Sequence, residues 1–296
     1  MFVRLGRCLW SRSPFLPCCR SSMSAATGFV SGPVVQNVEA EKLFGHLKLA
    51  SHDSLRGARR AACPSCGHTS HTICMHCYVP VGGVVFPQIE RLPIPIDVIR
   101  CVIEGNRSTS PHAKLVCPSS VTLYDWPAIP DYKRGTKVIL LFPSKDAVSL
   151  ENFISAERRT LQPVAGEIPF DRALFIDGTW KQAKRVARDE RLASLPRVIL
   201  ENVDTTFWRP QGEFAANNLA TIEAIYHFCV QLHDMTSGTA HNGEFDNLLW
   251  HYVHTYSHVV STQAIRRAAA ASAAEDHQPS TAAHKVEEEE SRAAAQ

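Results

Sequence analysis

Two groups of residues in this 296-residue chain could do chemistry. The first is Cys63-Pro-Ser-Cys66, followed seven residues later by Cys74-Met-His-Cys77. Each CxxC can form a knuckle that offers two thiolates to one ion, and two knuckles complete the tetrahedral four-sulfur shell that zinc prefers. Gly67 suits the tight backbone after the first knuckle. Four thiols within 15 residues of a chain that reads as intracellular fit a metal better than disulfides. A redox CxxC would need only one pair. An iron–sulfur cluster also takes four cysteines, and spacing alone does not separate it from zinc. With four sulfurs at hand, His68, His71 and His76 read as bystanders. A closed four-sulfur shell leaves no open position, so the site reads as structural. Cys101, Cys117 and Cys229 stand alone as small core or surface residues.

The second group is Asp177-Gly178-Thr179-Trp180 and the bases after it. The tetrapeptide follows an apolar run, RALFI, and precedes an amphipathic stretch over 180–195. Asp177 or Thr179 there could cap that helix; the acid could equally face a ligand. At 100° per residue, Lys181, Lys184, Arg185, Arg188 and Arg191 fall within about 120° of one another, with Ala183, Val186 and Ala187 opposite. Such a stripe is either a solvated face or a phosphate-binding one. Phe207-Trp208-Arg209 offers either a stacking surface with a guanidinium for RNA or ordinary core aromatics.

The elements that must hold these residues follow from periodicity. Buried-strand runs are expected over 137–142, 172–176 and 197–200, and another over 93–99, whose two prolines place it at a sheet edge. Helices are expected over 180–195, 217–232 and 246–264, the last two from apolar residues at helical spacing. Strands alternating with helices imply an α/β fold with a mainly parallel sheet, which binds ligands at the carboxyl ends of its strands.

Composition sets the limits. With 45% hydrophobic residues the chain packs a core, and no apolar run approaches the roughly 18 residues of a membrane span. The net charge of +2 argues against binding nucleic acid by bulk charge alone. That average hides compensating ends. Residues 1–38 carry four arginines and no Asp, Glu or Lys, the pattern of a mitochondrial or plastid presequence or of a disordered leader, and Met23 is a second possible start. Residues 268–296 hold two bases and six acids in an Ala/Glu-rich stretch that reads as a solvated tail. Between them, 25 bases face 23 acids. The expected organisation is a leader (1–38), a small zinc-binding module (39–90), an α/β domain (91–267) and a tail (268–296).

The motifs together resemble the DTW-domain family. They are CMHCYVPV (74–81), PIDVIR (95–100), HAKLV (112–116), FIDGTW (175–180), DERL (189–192), FWR (207–209), TIEAIY (221–226) and FDNLLW (245–250), and the resemblance spans about residues 63–256. It implies a tRNA-uridine aminocarboxypropyltransferase with a knotted, SPOUT-like sheet. The implied reaction moves the 3-amino-3-carboxypropyl group of S-adenosylmethionine to N3 of a tRNA uridine, in the D-loop around position 20. Because the leaving group is a neutral thioether, no catalytic metal is implied.

On this resemblance Asp177 is the general base or an orienting acceptor, and Thr179 and Trp180 shape the pocket and the helix start. Pro143, Ser144, Thr221 and Glu223 are the expected cofactor walls, and Lys181, Lys184, Arg185, Arg188 and Arg209 the expected tRNA contacts. Family members tend to carry Ser-Thr where this chain has Ala220-Thr221. The resemblance suggests the nucleus, whereas the leader suggests the mitochondrion. Two other functions share these residues: a SPOUT-like RNA methyltransferase, and a non-catalytic zinc-bearing RNA-binding module.

Overall fold

The computed structural model describes residues 38–101, 108–132, 137–161, 166–208 and 218–275, which belong to one compact unit. The leader up to residue 37, the tail from residue 276 and Arg209 lie outside the described residues.

Two short helices open the described chain, α1 (Val38–Phe44) and α2 (Asp53–Arg56). Two small antiparallel ribbons follow: β1 (Ala61–Ala62) with β2 (Thr69–Ser70), and β3 (Ile73–Cys74) with β4 (Val79–Pro80). The main body then runs β5 (Ile96–Arg100), α3 (Ser110–Val116), β6 (Val121–Asp125), β7 (Val138–Leu141), β8 (Val148–Ser149), α4 (Leu150–Leu161), β9 (Arg172–Asp177), α5 (Trp180–Val186) and β10 (Arg197–Ile199). It closes with α6 (Thr221–Thr236), a 3-10 turn (Asp246–Leu249) and α7 (Trp250–Glu275).

Among the described residues, six strands form one sheet in the order β6-β5-β9-β7-β10-β8, and every neighbouring pair is parallel. A parallel sheet is covered on both faces, so its strands are apolar on both sides. In β9, Ala173 and Phe175 enter the larger core, which α3, α4, α6 and α7 cover, while Leu174 enters the smaller one under α5. Fully burying side chains of this kind contributes about 1.5–3 kcal/mol each. Phe44, Leu55, Val84 and Phe86, from the segment before the sheet, sit in the same larger core. The Phe44 ring meets those of Tyr256 and Tyr252 of α7 edge-on, at 5.1 and 6.3 Å.

Three expectations change. The strand expected at an edge is β5, which lies inside the sheet between β6 and β9. Pro93 and Pro95 precede it, so neither removes a ladder donor from it. The helix expected over 180–195 ends at Val186. There the Asp189 side chain accepts from the backbone N–H of Arg191 at 3.1 Å and holds its guanidinium at 2.7–2.8 Å. A local carboxylate that satisfies backbone donors competes with helix continuation. The last helix continues to Glu275, into the stretch read as tail, because its alanines are the strongest helix formers. No helix among the described residues is long and apolar enough to cross a membrane.

Candidate active site and metal centre

The two ribbons each carry one CxxC knuckle built the same way. In the first, the backbone N–H of Gly67 donates to the carbonyl of Cys63 at 2.9 Å, and Gly67 has φ 73°. In the second, Tyr78 N–H donates to Cys74 at 2.8 Å, with φ 54°. The four sulfurs of Cys63, Cys66, Cys74 and Cys77 lie within 4.8 Å of one another, and none is in a disulfide. A tetrahedron with Zn–S bonds of about 2.3 Å has edges of about 3.8 Å; Cys66 Sγ and Cys74 Sγ are 3.6 Å apart. The donor set therefore fits a tetrahedral thiolate metal, and no histidine joins the cluster. Crowding splits the thiols. Cys77 is pushed up to about 12 by its contact with Cys66 and by burial. Cys63, against the upward pull of burial, is brought down to about 6 by the backbone N–H groups of Cys66 and Ser65. Four adjacent thiols ionise together only when a cation balances them.

Asp177 ends β9 and is 6% exposed. Its carboxylate is held by three hydroxyls from two distant segments. Ser108 and Ser110, at the start of α3, both donate to Oδ2, Ser110 at 2.6 Å. Thr221, the first residue of α6, donates to Oδ1 at 2.8 Å. A carboxylate has about four acceptor positions; among the described residues three are filled, and one on Oδ1 is left. The capping role goes to Thr179 instead. Its hydroxyl accepts from Gln182 N–H, and the Gln182 side chain accepts from Thr179 N–H at 2.8 Å. Gly178 keeps strand and helix in close contact: a Cβ there would stand 2.8 Å from the sulfur of Cys101. That contact gives Cys101 a packing task.

Beside Asp177 a cleft of about 550 Å³ opens at the carboxyl ends of β7, β9 and β10. Its walls are mainly apolar (Leu141, Phe142, Ile176, Val198), with Gly178 and Trp180 on one side and Leu219 and Thr221 on the other. Size and lining fit a small-molecule site. Trp180 is 41% exposed, and its ring lies 5.5 Å from that of Phe142.

The structure brings some of the expected residues to this cleft and not others. Pro143, Trp180 and Thr221 line it. Asp177 and Thr179, which flank the lining residue Gly178, do not, and neither does Ser144, next to Pro143 on the same loop. Nor does Glu223, which is 2% exposed. Its carboxylate takes the N–H of Ala220 and Thr206 and the hydroxyls of Thr205 and Thr206, at 2.7–2.9 Å, and so organises the start of α6. Position 220, where the family tends to have serine, is the N-cap of α6 and is buried in the core, outside the cleft lining.

Lys181, Lys184, Arg185 and Arg188 are exposed. Lys184 lies over the Trp180 ring and Arg185 over that of Trp126, at 5.3 and 4.8 Å. Arg191 leaves the expected stripe. Helix α5 has ended, and its guanidinium is spent on Asp189 and on the carbonyls of Pro127 and Ile129. That pairing holds the Asp189 carboxyl well below its usual range. Phe207 and Trp208 are core aromatics. They pack on the larger core, with the Trp208 ring 5.1 Å from Tyr252.

Sequence reasoning missed Ser108, Ser110 and Arg100. The signal for the serines is a run of small hydroxyl residues, Ser108-Thr109-Ser110, at the start of the helix that follows a buried strand, on the side where a parallel sheet binds its ligands. Arg100 ends β5 in register with Asp125 of β6 and Asp177 of β9. It is 5% exposed, 3.7 Å from Asp125, and lies 4.4 Å over the Tyr78 ring. It thereby ties the second knuckle to the edge of the sheet that carries Asp177.

A family model of the DTW domain matches residues 71–260, which include Cys74, Cys77 and Asp177. The chain is 34% identical over 276 residues to tRNA-uridine aminocarboxypropyltransferase 1 of Mus musculus, covering 81% of this chain and 88% of the relative. Proteins of the same description from Xenopus tropicalis and Homo sapiens are 33% and 32% identical, covering 72% and 74% of this chain and 85% and 84% of their own length. No solved structure matches the chain.

Proposed function

The chain belongs to the DTW-domain family, and from that premise we propose that it transfers the 3-amino-3-carboxypropyl group of S-adenosylmethionine to N3 of a tRNA uridine, in the D-loop around position 20. One observation carries this function. A buried acid at the carboxyl end of a central parallel strand is held by three hydroxyls beside a cleft of cofactor size.

The donor occupies the apolar cleft, against Pro143, Trp180 and Thr221. It supplies an electrophilic carbon on a sulfonium. Asp177 Oδ1, which takes the hydroxyl of the cleft-lining Thr221, has a further acceptor position that suits the donor's ammonium group. The N3–C bond forms as the C–S bond breaks; a neutral thioether leaves with the electron pair, and the N3 proton passes to Asp177. In-line approach needs the reacting atoms about 3–3.5 Å apart, so placement by the pocket decides which of the three carbons on sulfur reacts. Thr179 caps α5 and sets the angle of Trp180, which closes the cleft. Ser144 and Glu223 act by shaping the β7 loop and the start of α6.

Lys181, Lys184, Arg185 and Arg188 follow the phosphate backbone of tRNA, joined by Arg209 after the core aromatics. Zinc fills the four-cysteine site as a structural ion. We further propose a SPOUT-like knot: β9 enters the sheet between β5 and β7, and β10 between β7 and β8, so later strands insert between earlier ones. We assign the chain to the nucleus, on its family resemblance.

Incubating unmodified tRNA with labelled S-adenosylmethionine and the full chain, followed by nucleoside mass spectrometry, tests the function. We expect uridine heavier by one aminocarboxypropyl group. A methylated nucleoside would make the chain a methyltransferase, and tRNA binding without transfer or donor binding would make it a binding module.

A further inference from the structure

A second cleft, of about 380 Å³, lies between the four-cysteine module and helices α3 and α7. The module supplies Arg60 and the segment that runs from Thr69 to Ile73 between the two knuckles, with Met75 beyond it; the body supplies Ser108, His112 and His251. This lining is rich in hydroxyls and imidazoles, unlike that of the cleft assigned to the donor. One lining residue of each cleft reaches the same carboxylate, that of Asp177, which itself lines neither. Ser108 lines the polar cleft and donates to Asp177 Oδ2, while Thr221 lines the apolar cleft and donates to Asp177 Oδ1.

We propose that the polar cleft receives the target uridine, so that donor and acceptor reach Asp177 from its two oxygens. This rests on the function proposed above and names where its RNA substrate enters.

The chemistry of the base selects this cleft. N3 lies on the pairing edge of uracil between two carbonyl oxygens, so the base must leave any stack and enter edge first. It then needs donors for the two carbonyls, an acceptor for N3–H, apolar surface for the ring faces, and a cation for the adjoining phosphate. Ser70, Thr72 and His71 supply donors; the Thr72 hydroxyl is oriented by His251 Nε2 at 3.1 Å. Ile73 and Met75 supply apolar surface, and exposed Arg60 supplies the cation. Ser108 Oγ is the acceptor. As it takes the N3 proton it passes its own to Asp177 Oδ2, while N3 bonds to carbon and the thioether leaves. Charge and atoms balance with no further reagent.

The metal then has a second consequence. The segment between Cys66 and Cys74 forms one wall of the cleft, and the four sulfurs fix both of its ends. The module is thus part of the RNA site and not only a stabilising appendage.

The test uses the full chain, unmodified tRNA, and tRNA carrying photoreactive 4-thiouridine at the modified position. Arg60→Ala and His71→Ala, both at exposed positions, should each raise KM for tRNA about tenfold, the loss of one ordinary contact. Their Kd for S-adenosylmethionine, measured by calorimetry, should stay at the wild-type value, which also reports an intact fold. The 4-thiouridine should crosslink to the peptide spanning residues 69–75. Unchanged KM in both variants, a weakened donor Kd with unchanged tRNA KM, or crosslinks confined to residues 141–143 and 198–203 would each overturn the proposal. If the wild-type chain transfers nothing to tRNA, the assigned function fails, and the crosslink position still decides whether the base enters this cleft.

Discussion

Asp97 and Asp177 sit on neighbouring strands of one sheet, both buried, and their surroundings are opposite in kind. Asp97, in β5, is met by the guanidinium of Arg172 at 2.6 Å and by the Tyr132 hydroxyl at 3.0 Å. Burial pushes its carboxyl up, and Arg172 pulls it back. Its charge is cancelled within the fold. Among the described residues, Asp177 is met only by neutral hydroxyls. They orient the carboxylate without cancelling its charge, and they leave one acceptor position open at the carboxyl edge, where parallel sheets bind ligands. The first acid is an internal strut, and the second has hydroxyls alone beside its charge among the described residues. Burial and residue type do not distinguish them; the charge of the partners does.

The largest expected effect breaks this comparison on the Asp177 side. Asp177→Asn keeps the shape and most hydrogen-bonding capacity but removes the charge and the proton acceptor. Transfer should fall at least 10²–10⁴-fold, the range of a general base, while thermal unfolding moves by only a few degrees. Activity near wild type would remove Asp177 from the chemistry. Next comes the metal. The module's own core is only Cys63, Cys74 and Val81, with Cys77 and Val79 beside it, too little to hold four short strands. A chelator or Cys77→Ser should open residues 63–80 to protease and abolish transfer, with donor affinity retained. Protection of that segment after metal removal would show that packing alone maintains it. On the other side of the comparison, Asp97→Asn leaves Arg172 without its charge partner. The cost should be about 2–3 kcal/mol, less than for a fully buried pair because Arg172 is 32% exposed. Unfolding should then occur roughly 5–10 °C lower, with kcat of the folded enzyme unchanged. A drop in kcat at unchanged stability would mean that Asp97, too, serves the reaction.

Only the Asp177 side of this contrast was legible in the sequence, together with the two knuckles, and the rest was not, for definable reasons. The knuckles were readable because metal ligation imposes a local spacing. Asp177 was readable because a buried-strand run ends on it. Its partners were not, since Ser108, Ser110 and Thr221 lie 69, 67 and 44 residues away and meet it only through the sheet order. The end of α5 was hidden because periodicity continues through Arg188, whereas the Asp189–Arg191 pairing stops the helix. The internal place of β5 was hidden because its prolines lie just outside the ladder.

A smaller effect separates the two clefts by pH. The polar cleft is floored by His251, which lies in a group with His52 and His254; the apolar cleft has no histidine in its lining. Burial lowers all three. For His251 the charges of His112, His254 and His52 add to this, and His254, beside His52, His258, Arg56 and His71, falls to about 4. A base whose folded value is depressed favours folding in its neutral form. The stability from this group is therefore full above about pH 6.5 and declines as pH falls toward 4. Thermal unfolding followed from pH 7.5 to 4.5 should show a falling midpoint, less steep in His254→Gln. A flat profile would mean that the three imidazoles are solvated.

The smallest effect concerns the one departure from the family pattern. Ala220 caps α6 with no side-chain acceptor, while Glu223 returns its carboxylate to Ala220 N–H at 2.7 Å. Half of a reciprocal capping box is present, and the missing half is a hydroxyl at position 220 that would accept from Glu223 N–H. Ala220→Ser should therefore raise stability by about 0.5–1 kcal/mol, a shift of roughly 1–4 °C. That gain is limited because the position is 6% exposed, so the added oxygen must find its partner in a tight space. Donor affinity should not move, since residue 220 lies in the core while Thr221, its neighbour, lines the cleft and holds Asp177. If Ala220→Ser instead tightened donor binding with no gain in stability, the family serine would be a ligand contact, and the boundary between the scaffold and the reacting edge would lie one residue earlier.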